Sequence, residues 1–123
     1  MSLVLVADDH AGIRQLIRSL LIPQYEVVEA QNGTEALALL AARTIDVLVV
    51  DLDMPGPSGH DVCNWVRADE RFLGIGIIML TGSHLKLALT DFQVDVLLQK
   101  PSGIRSVRTA VESLLARPGR RST

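Results

Sequence analysis

The stretch LVLVADD at residues 3–9 decides the fold class, because it joins a short continuous apolar run to an acidic pair. Four consecutive aliphatic residues are typical of a strand that is buried on both faces of a parallel sheet. Residues 45–51 show a related pattern, an apolar run that is broken only by Asp46 and ends on Asp51. The two stretches predict two buried strands that end on carboxylates, Asp8 and Asp9 for the first and Asp51 for the second.

The rest of the chain alternates between strand-like and helix-like patterns. Strands are predicted at residues 3–6, 26–30, 45–50, 75–80 and 94–98, where apolar and β-branched residues cluster. Helices are predicted at residues 13–21, 35–42, 58–66, within 85–92 and from 102 to 118. Pro23 ends the first helix pattern, and a capping box of Ser58 and Asp61 begins the third. Ser102 is predicted to cap the last helix, which Pro118 ends.

Strands and helices that alternate along a chain predict an α/β fold with a parallel sheet and right-handed crossovers. We expect a doubly wound five-stranded sheet with helices on both faces and the flavodoxin-like strand order 2-1-3-4-5. One domain would occupy residues 1–117, and residues 118–123 would be a tail or the start of a linker. Ligands bind such sheets at the carboxyl ends of the strands. The polar residues there are Asp8, Asp9, Asp51, Thr81 and Lys100.

The composition excludes several classes of function. The 123 residues are 48% hydrophobic, and 12 basic against 14 acidic side chains leave a net charge of −2, which does not favour nucleic acid binding. The single cysteine, Cys63, can form neither an internal disulfide nor a Cys-rich zinc site. No apolar stretch approaches the roughly 20 residues that span a bilayer. We therefore expect a cytoplasmic domain that binds neither nucleic acid nor membrane.

The acidic strand ends predict a cation site. Three carboxylates at one sheet edge repel one another unless positive charge lies among them. Lys100 supplies one charge, so the balance of three negative charges and one positive charge is −2, which a divalent ion would neutralise. Oxygen ligands favour Mg²⁺, with Mn²⁺ as a substitute, over zinc. Because Mg²⁺ is commonly bound by one or two carboxylates together with a phosphate, a phosphoryl group is expected there too.

Five motifs in this order resemble the receiver domain of two-component response regulators, over nearly the whole chain. They are the pair Asp8-Asp9, the single Asp51, the stretch Met54-Pro55-Gly56 with Gly59 after it, Thr81 with Gly82, and Lys100-Pro101. The resemblance implies a Mg²⁺-dependent phosphoacceptor that assists its own phosphorylation and dephosphorylation but is not otherwise an enzyme. The donor would be a sensor histidine kinase, a phosphotransfer protein or a small phosphodonor.

The resemblance also implies a role for each carboxylate. Asp51 would be the nucleophile that takes the phosphoryl group and becomes an aspartyl phosphate. Asp9 and Asp51 would bind Mg²⁺ through their side chains. Asp8 would act through a bound water, and Asp53 would offer its backbone carbonyl.

The remaining site residues are implied to transmit the signal. Lys100 would pair with Asp51 and then with the phosphoryl oxygens, and Thr81 would turn its hydroxyl toward them. The readout would be a population shift at the face of the fourth predicted helix, the fifth strand and the last helix, where an output domain or protein binds. Leu97 stands where the family usually has Tyr or Phe, and the stretch from Thr81 to Lys100 is shorter than usual. We therefore expect an atypical switch, in a monomer or a weak homodimer.

Other interpretations remain open from the sequence. Asp8 or Asp9 alone could cap the first helix. Taken singly, Asp51 could be a solvated loop residue, Thr81 a strand-end hydroxyl and Lys100 a surface lysine. His10, His60 and His84 show no ligand spacing and are expected at the surface or beside a cap.

Three other classes of function compete with the receiver. The motif Asp51-Leu52-Asp53 resembles the start of haloacid dehalogenase-type phosphatases, although Pro55 and the chain length depart from that pattern. A nucleotide or flavin site would need glycines, rather than Asp9 and His10, after the first strand. The nearest rival is a receiver-like interaction module that works without phosphorylation.

Overall fold

The computed structural model describes residues 1–82 and 93–117, and its centre is a five-stranded sheet. The strands are β1 (Leu3–Ala7), β2 (Glu26–Ala30), β3 (Val47–Asp51), β4 (Gly76–Thr81) and β5 (Val96–Gln99). All neighbouring strands are parallel, and their order is β2-β1-β3-β4-β5. This order confirms the predicted doubly wound topology and places β1 beside β3, where the direction of winding reverses.

Helices lie on both faces of the sheet. The α-helices of the described residues are α1 (Ala11–Leu21), α2 (Gly33–Ala42), α3 (Gly59–Arg67) and α4 (Val107–Leu115), and 3₁₀ helices occupy Glu70–Phe72 and Ser102–Ser106. The helix predicted within residues 85–92 and the tail at 118–123 lie outside the described residues. Within residues 1–82 and 93–117, no helix has the length and apolar character that crossing a bilayer requires.

The two sheet faces form two hydrophobic cores. Along β3, Leu48 and Val50 contribute to the core beneath α2 and α3, whereas Val47 and Val49 contribute to the core beneath α1 and α4. Every residue of β1, β3 and β4 is buried. Continuous apolar runs therefore suit these strands, because successive side chains point to opposite faces and both faces are covered.

Side-chain caps start two of the helices that follow strands. Asn32 accepts a hydrogen bond from the Glu35 amide at 2.8 Å and begins α2. Ser58 and Asp61 form the predicted capping box at the start of α3, each side chain accepting from the other residue's amide at 3.1 and 3.0 Å. These caps satisfy amide groups that otherwise lack partners in the first helical turn.

Two predicted strands start two residues later than expected, and an aspartate explains each difference. Strand β3 starts at Val47 because the preceding Asp46 carboxylate accepts the Leu3 amide of β1 at 2.8 Å. Strand β5 starts at Val96 because the preceding Asp95 carboxylate accepts the Ile77 amide of β4 at 2.7 Å. In both cases a side chain replaces the backbone acceptor that a longer strand would supply.

The prediction that Ser102 caps the last helix is wrong. Ser102 is the first residue of a 3₁₀ helix that follows Pro101, and neither that helix nor α4 has a side-chain cap. The chain stays in the tighter 3₁₀ helix until Ser106, and α4 begins at Val107. Ile104 and Val107 are buried and pack this segment against the sheet. The interpretation of Asp8 or Asp9 as the cap of the first helix also fails, because His10 occupies that position.

Candidate functional site

The predicted site residues meet at the carboxyl edge of the sheet. Asp8 directly follows β1, and Asp51 is the last residue of β3. Thr81 is the last residue of β4, and Lys100 directly follows β5. Because the strands are parallel, these four ends share one edge, as the sequence predicted.

Asp8 is completely buried, and a positive or polar group lies close to each of its side-chain oxygens. Oδ2 lies 2.7 Å from Lys100 Nζ. Oδ1 accepts the His10 amide at 2.8 Å, and His10 Nδ1 lies 3.3 Å from the same oxygen. A carboxylate held in this way keeps its negative charge inside the protein because positive and polar groups surround it.

Asp51 lies across from Asp8, and Lys100 is placed between them. The Asp51 side chain is buried. Its Oδ1 lies 3.3 Å from Lys100 Nζ and accepts the Asp53 amide at 3.4 Å. The pKa of Asp51 is raised from 3.8 to about 6, because burial and then the negative charge of Asp8 raise it by more than Lys100 and the Asp53 amide lower it. The site therefore holds more negative charge than Lys100 can neutralise.

The positive charge of Lys100 is stabilised by the carboxylates that surround it. Burial lowers the pKa of Lys100, but its ion pairs with Asp8 and Asp51 more than offset this effect and raise the pKa above its ordinary value. The lysine is therefore a fixed positive charge at neutral pH. Its backbone is fixed as well, because the Lys100 amide donates to the Thr81 carbonyl at 2.7 Å.

The donor set fits a divalent cation. One ligand atom from each of Asp8, Asp9, His10 and Asp51 lies within 4.8 Å of the others. Three carboxylates beside one lysine leave an excess of negative charge, and after burial the charge of Asp8 is the second cause of the raised pKa of Asp51. Oxygen-rich sites with this charge suit Mg²⁺ or Mn²⁺.

His10 belongs to this cluster, which the sequence analysis did not foresee. As expected, it lies beside a helix end, since it is the N-cap of α1, and its side chain is 69% exposed. Its Nδ1, however, lies 3.1 Å from Asp9 Oδ1 and 3.3 Å from Asp8 Oδ1. Its position next to the acidic pair was the only signal in the sequence.

Three further predicted residues take different positions. The Asp53 side chain is exposed and outside the cluster, and its amide rather than its carboxylate contacts Asp51. Thr81 is buried at the end of β4, next in sequence to Leu80, the register partner of Asp51. Leu97 on β5 is half-buried, in register with Met79, and packs against the core beneath α2 and α3.

Close backbone packing holds Asp51 at the edge. The Leu52 amide donates to the Leu80 carbonyl at 2.9 Å, and the Gly59 amide donates to the Leu52 carbonyl at 2.9 Å. A Cβ at Gly59 would collide with the Asp51 carbonyl oxygen. The turn at Gly56, with φ of 73°, lets the intervening loop fold back. The start of α3 is thereby fixed against the end of β3.

A second contact that was not predicted involves Arg14, on the first turn of α1. Its Nη1 donates to the backbone carbonyl of Asp8 at 2.7 Å, and its Nε donates to Glu29 Oε1 at 3.1 Å. No local sequence pattern announces this contact, because its partners lie on the ends of two different strands.

Comparison with known proteins finds the same architecture. The family model described as "Response regulator receiver domain" matches residues 4–112. The chemotaxis protein CheY of Pseudomonas aeruginosa is 30% identical over 119 residues, which cover 93% of this chain and 96% of that protein. The transcriptional regulatory proteins PhoB of P. aeruginosa and ResD of Bacillus subtilis are 32% and 36% identical, and the chain spans only 52% and 50% of their lengths.

Solved structures agree with the sequence relatives. The chemotaxis response regulator CheY4 of Vibrio cholerae superimposes with a TM-score of 0.83 at 28% identity, covering 93% of this chain and 98% of the other. The response regulator TrrA of Thermotoga maritima, solved in complex with Mg²⁺ and BeF, superimposes with a TM-score of 0.81 at 32% identity, covering 93% and 99%. The strand order, the acidic edge and these matches over nearly all of its length show that this chain belongs to the response regulator receiver domain family.

Proposed function

We propose that this chain accepts a phosphoryl group on Asp51, with Mg²⁺, as the receiver of a two-component phosphorelay. The observation that carries the proposal is the buried Asp51 carboxylate beside Lys100 Nζ, at 3.3 Å, in an edge with excess negative charge. Phosphoryl transfer needs positioning and charge neutralisation more than a proton shuttle. Both are available at this edge once a cation is bound.

The proposed reaction is a displacement at phosphorus. A carboxylate oxygen of Asp51 forms the new P–O bond as the P–N bond of a phosphohistidine, or the P–O bond of acetyl phosphate, breaks. The leaving group departs with the bonding electron pair, as a histidine nitrogen that is then protonated or as acetate. Lys100 is placed to pair with the negative phosphoryl oxygens once they are on Asp51, because its ammonium already faces Asp51 and is positively charged at neutral pH.

Asp9 and Asp51 would hold the cation through their side chains, and Asp53 would add its backbone carbonyl. Asp8 would act through a water, in keeping with its side-chain oxygens already facing Lys100 and the His10 amide. When bound, Mg²⁺ supplies positive charge to the phosphoryl oxygens, and Mn²⁺ would substitute. The TrrA structure with Mg²⁺ and BeF supports this assignment by similarity.

Thr81 would turn its hydroxyl to the phosphoryl oxygens, and the face around β5 would then shift toward a partner-binding state. Leu97 makes this switch atypical, because a packed leucine has no ring or hydroxyl to exchange between two positions. The partners would be a sensor histidine kinase or phosphotransfer protein and an output domain or protein. The proposal also includes a receiver domain at residues 1–117, a tail or the start of a linker at 118–123, a cytoplasmic location and a monomeric or weakly dimeric state.

The deciding experiment is intact mass after incubation with acetyl phosphate, with and without Mg²⁺. We expect a Mg²⁺-dependent gain of one phosphoryl group, and Asp51→Asn should remove it. Asp53→Asn is the matched control, since the Asp53 side chain lies outside the cluster. It should still be phosphorylated.

Other outcomes would favour other functions. A folded protein that gains no mass from acetyl phosphate or from a kinase would support the interaction module that acts without phosphorylation. Steady turnover of an aryl phosphate, lost in Asp51→Asn and reduced in Asp53→Asn, would indicate a phosphatase instead.

A further inference from the structure

We propose that Arg14 is a positioning residue for the acidic pair, holding the Asp8-Asp9 peptide so that both side chains face the cation site. The inference rests on the proposed function, because it assigns Arg14 a part in Mg²⁺ binding. It concerns a residue that contacts no carboxylate of the cluster itself. Its effect is transmitted through the backbone carbonyl of Asp8 and through Glu29.

The guanidinium of Arg14 joins three elements. From the first turn of α1, Nη1 donates to the Asp8 carbonyl at 2.7 Å and Nε donates to Glu29 Oε1 of β2 at 3.1 Å. The side chain is only 15% exposed. Arg18, one turn further along α1, donates to the other oxygen of Glu29 at 2.9 Å. Glu29 thus pairs with two arginines, and of these two only Arg14 donates to Asp8.

The Asp8 carbonyl is the point at which this contact matters. Strand β1 ends at Ala7, so the peptide between Asp8 and Asp9 lies past the parallel ladder. The Asp8 amide still donates to the Ala30 carbonyl of β2 at 3.0 Å. The Asp8 carbonyl accepts from Arg14 instead of from a neighbouring strand. The Asp8 side chain is held as well, because Oδ2 forms an ion pair with Lys100 and Oδ1 accepts the His10 amide.

The peptide orientation sets the direction of both acidic side chains. The Asp8 carbonyl belongs to the same plane as the Asp9 amide, so a rotation of that plane moves the Asp9 Cα and its carboxylate. The Asp9 side chain is 31% exposed, and within residues 1–82 and 93–117 its one ion-pair contact is with His10 Nδ1, at 3.1 Å. The Asp9 carboxylate therefore depends on its backbone for placement more than the packed Asp8 carboxylate does.

The effect of Arg14 is geometric rather than a matter of added charge. Its positive charge is paired with Glu29, and it touches Asp8 only at a neutral carbonyl. A lysine cannot replace it, because a single ammonium does not present the fixed fork of Nε and Nη donors to acceptors on two strands. This distinguishes Arg14 from Lys100, whose ammonium faces the carboxylates directly.

The test compares Arg14→Ala and Arg14→Lys with Arg18→Ala in the full chain. Arg18→Ala is the matched control, since it removes the other cation on Glu29 and leaves the Asp8 carbonyl contact in place. The readouts are the Mg²⁺ dissociation constant by calorimetry and the rate of phosphorylation by acetyl phosphate as Mg²⁺ is raised. We expect both Arg14 variants to weaken Mg²⁺ binding at least fivefold, and Arg18→Ala to change it less than twofold.

A purely structural role predicts a different result. If Arg14 only stabilised the fold, its variants would have a lower melting temperature, and the folded molecules would keep the Mg²⁺ dissociation constant of wild type. If Arg14 positions the acidic pair, its variants have a higher Mg²⁺ dissociation constant, and saturating Mg²⁺ restores most of the phosphorylation rate. The proposal is overturned if folded Arg14→Ala binds Mg²⁺ like wild type, or if Arg18→Ala loses as much affinity. Should Arg14→Ala fail to fold, Arg14→Lys decides by the same criterion.

Failure of the proposed function is recognised separately, in the unmodified protein. If wild type is folded but neither binds Mg²⁺ nor gains a phosphoryl group, the proposed function fails, and the role of Arg14 fails with it. If wild type does both and the Arg14 variants match it, only the inference about Arg14 is wrong.

Discussion

The ammonium of Lys100 lies 2.7 Å from Asp8 Oδ2, closer than the 3.3 Å that separates it from Asp51 Oδ1. The resting lysine is therefore shared, and its shorter contact is with Asp8. Asp51 has the longer contact with Lys100, and the lysine offsets only part of the rise that burial and the charge of Asp8 cause in the pKa of Asp51.

Replacement of Lys100 with methionine should destabilise the fold. It leaves two buried carboxylates facing each other, and removal of one partner from a buried ion pair commonly costs about 3–5 kcal/mol. Because Asp51 can take up a proton, we expect a smaller loss in the free energy of unfolding at pH 7.5, about 2–3 kcal/mol. Urea unfolding would measure it, and the double variant with Asp51→Asn should regain part of the loss. Equal stability of the single and double variants would contradict the coupling.

The Asp51→Asn variant should be more stable than wild type at neutral pH without metal. The pKa of Asp51 is raised from 3.8 to about 6 in the fold, so its contribution to stability is fully present below pH 3.8 and lost as the pH rises through about 6. The asparagine carries no such penalty. At pH 7.5 the gain should be roughly 1–3 kcal/mol, since one pKa unit corresponds to about 1.4 kcal/mol.

The same advantage should shrink as the pH falls from 7 to 4. Urea unfolding of both proteins at several pH values would show it, because titration of the other carboxylates largely cancels in the difference. A constant difference across this range would mean that Asp51 titrates normally.

Magnesium should stabilise the folded protein in a concentration-dependent way. A cation that binds only the native state adds about 2.7 kcal/mol at a free concentration of 100 times its dissociation constant. The increase in melting temperature should be lost in Asp9→Asn and Asp51→Asn and kept in Asp53→Asn, whose side chain lies outside the cluster. Thermal unfolding over a Mg²⁺ titration measures this. An unchanged increase in the Asp9 variant would place the cation elsewhere.

Two glycine substitutions should have opposite outcomes. In Gly59→Ala the new Cβ would meet the carbonyl oxygen of Asp51, which we expect to cost about 1–3 kcal/mol and to displace the phosphoacceptor. Gly12→Ala is the control, because nothing lies within 4 Å of a Cβ at that position of α1. It should leave stability unchanged or raise it by up to about 1 kcal/mol. Chemical denaturation gives both values, and a neutral Gly59→Ala would show that the β3–α3 turn relaxes easily.

Much of the fold was accessible from local pattern. Apolar runs such as residues 3–6 predicted buried strands, and the pair Ser58 and Asp61 predicted a cap, because these signals depend on neighbours along the chain. The strand starts at Val47 and Val96 were missed for the opposite reason. Asp46 and Asp95 accept amides from strands far away in the sequence.

The candidate site divides in the same way. By itself the sequence determined which residues stand at the carboxyl ends of the strands, since strand boundaries and acidic strand ends such as Asp8 and Asp51 are local features. Only the tertiary structure decided how charge is shared there. Lys100 Nζ faces two carboxylates and Arg14 reaches the Asp8 carbonyl because β1, β2, β3 and β5 are brought to one edge. Hydrogen bonds and ion pairs act over a few ångströms in space, whatever the separation of the residues along the chain.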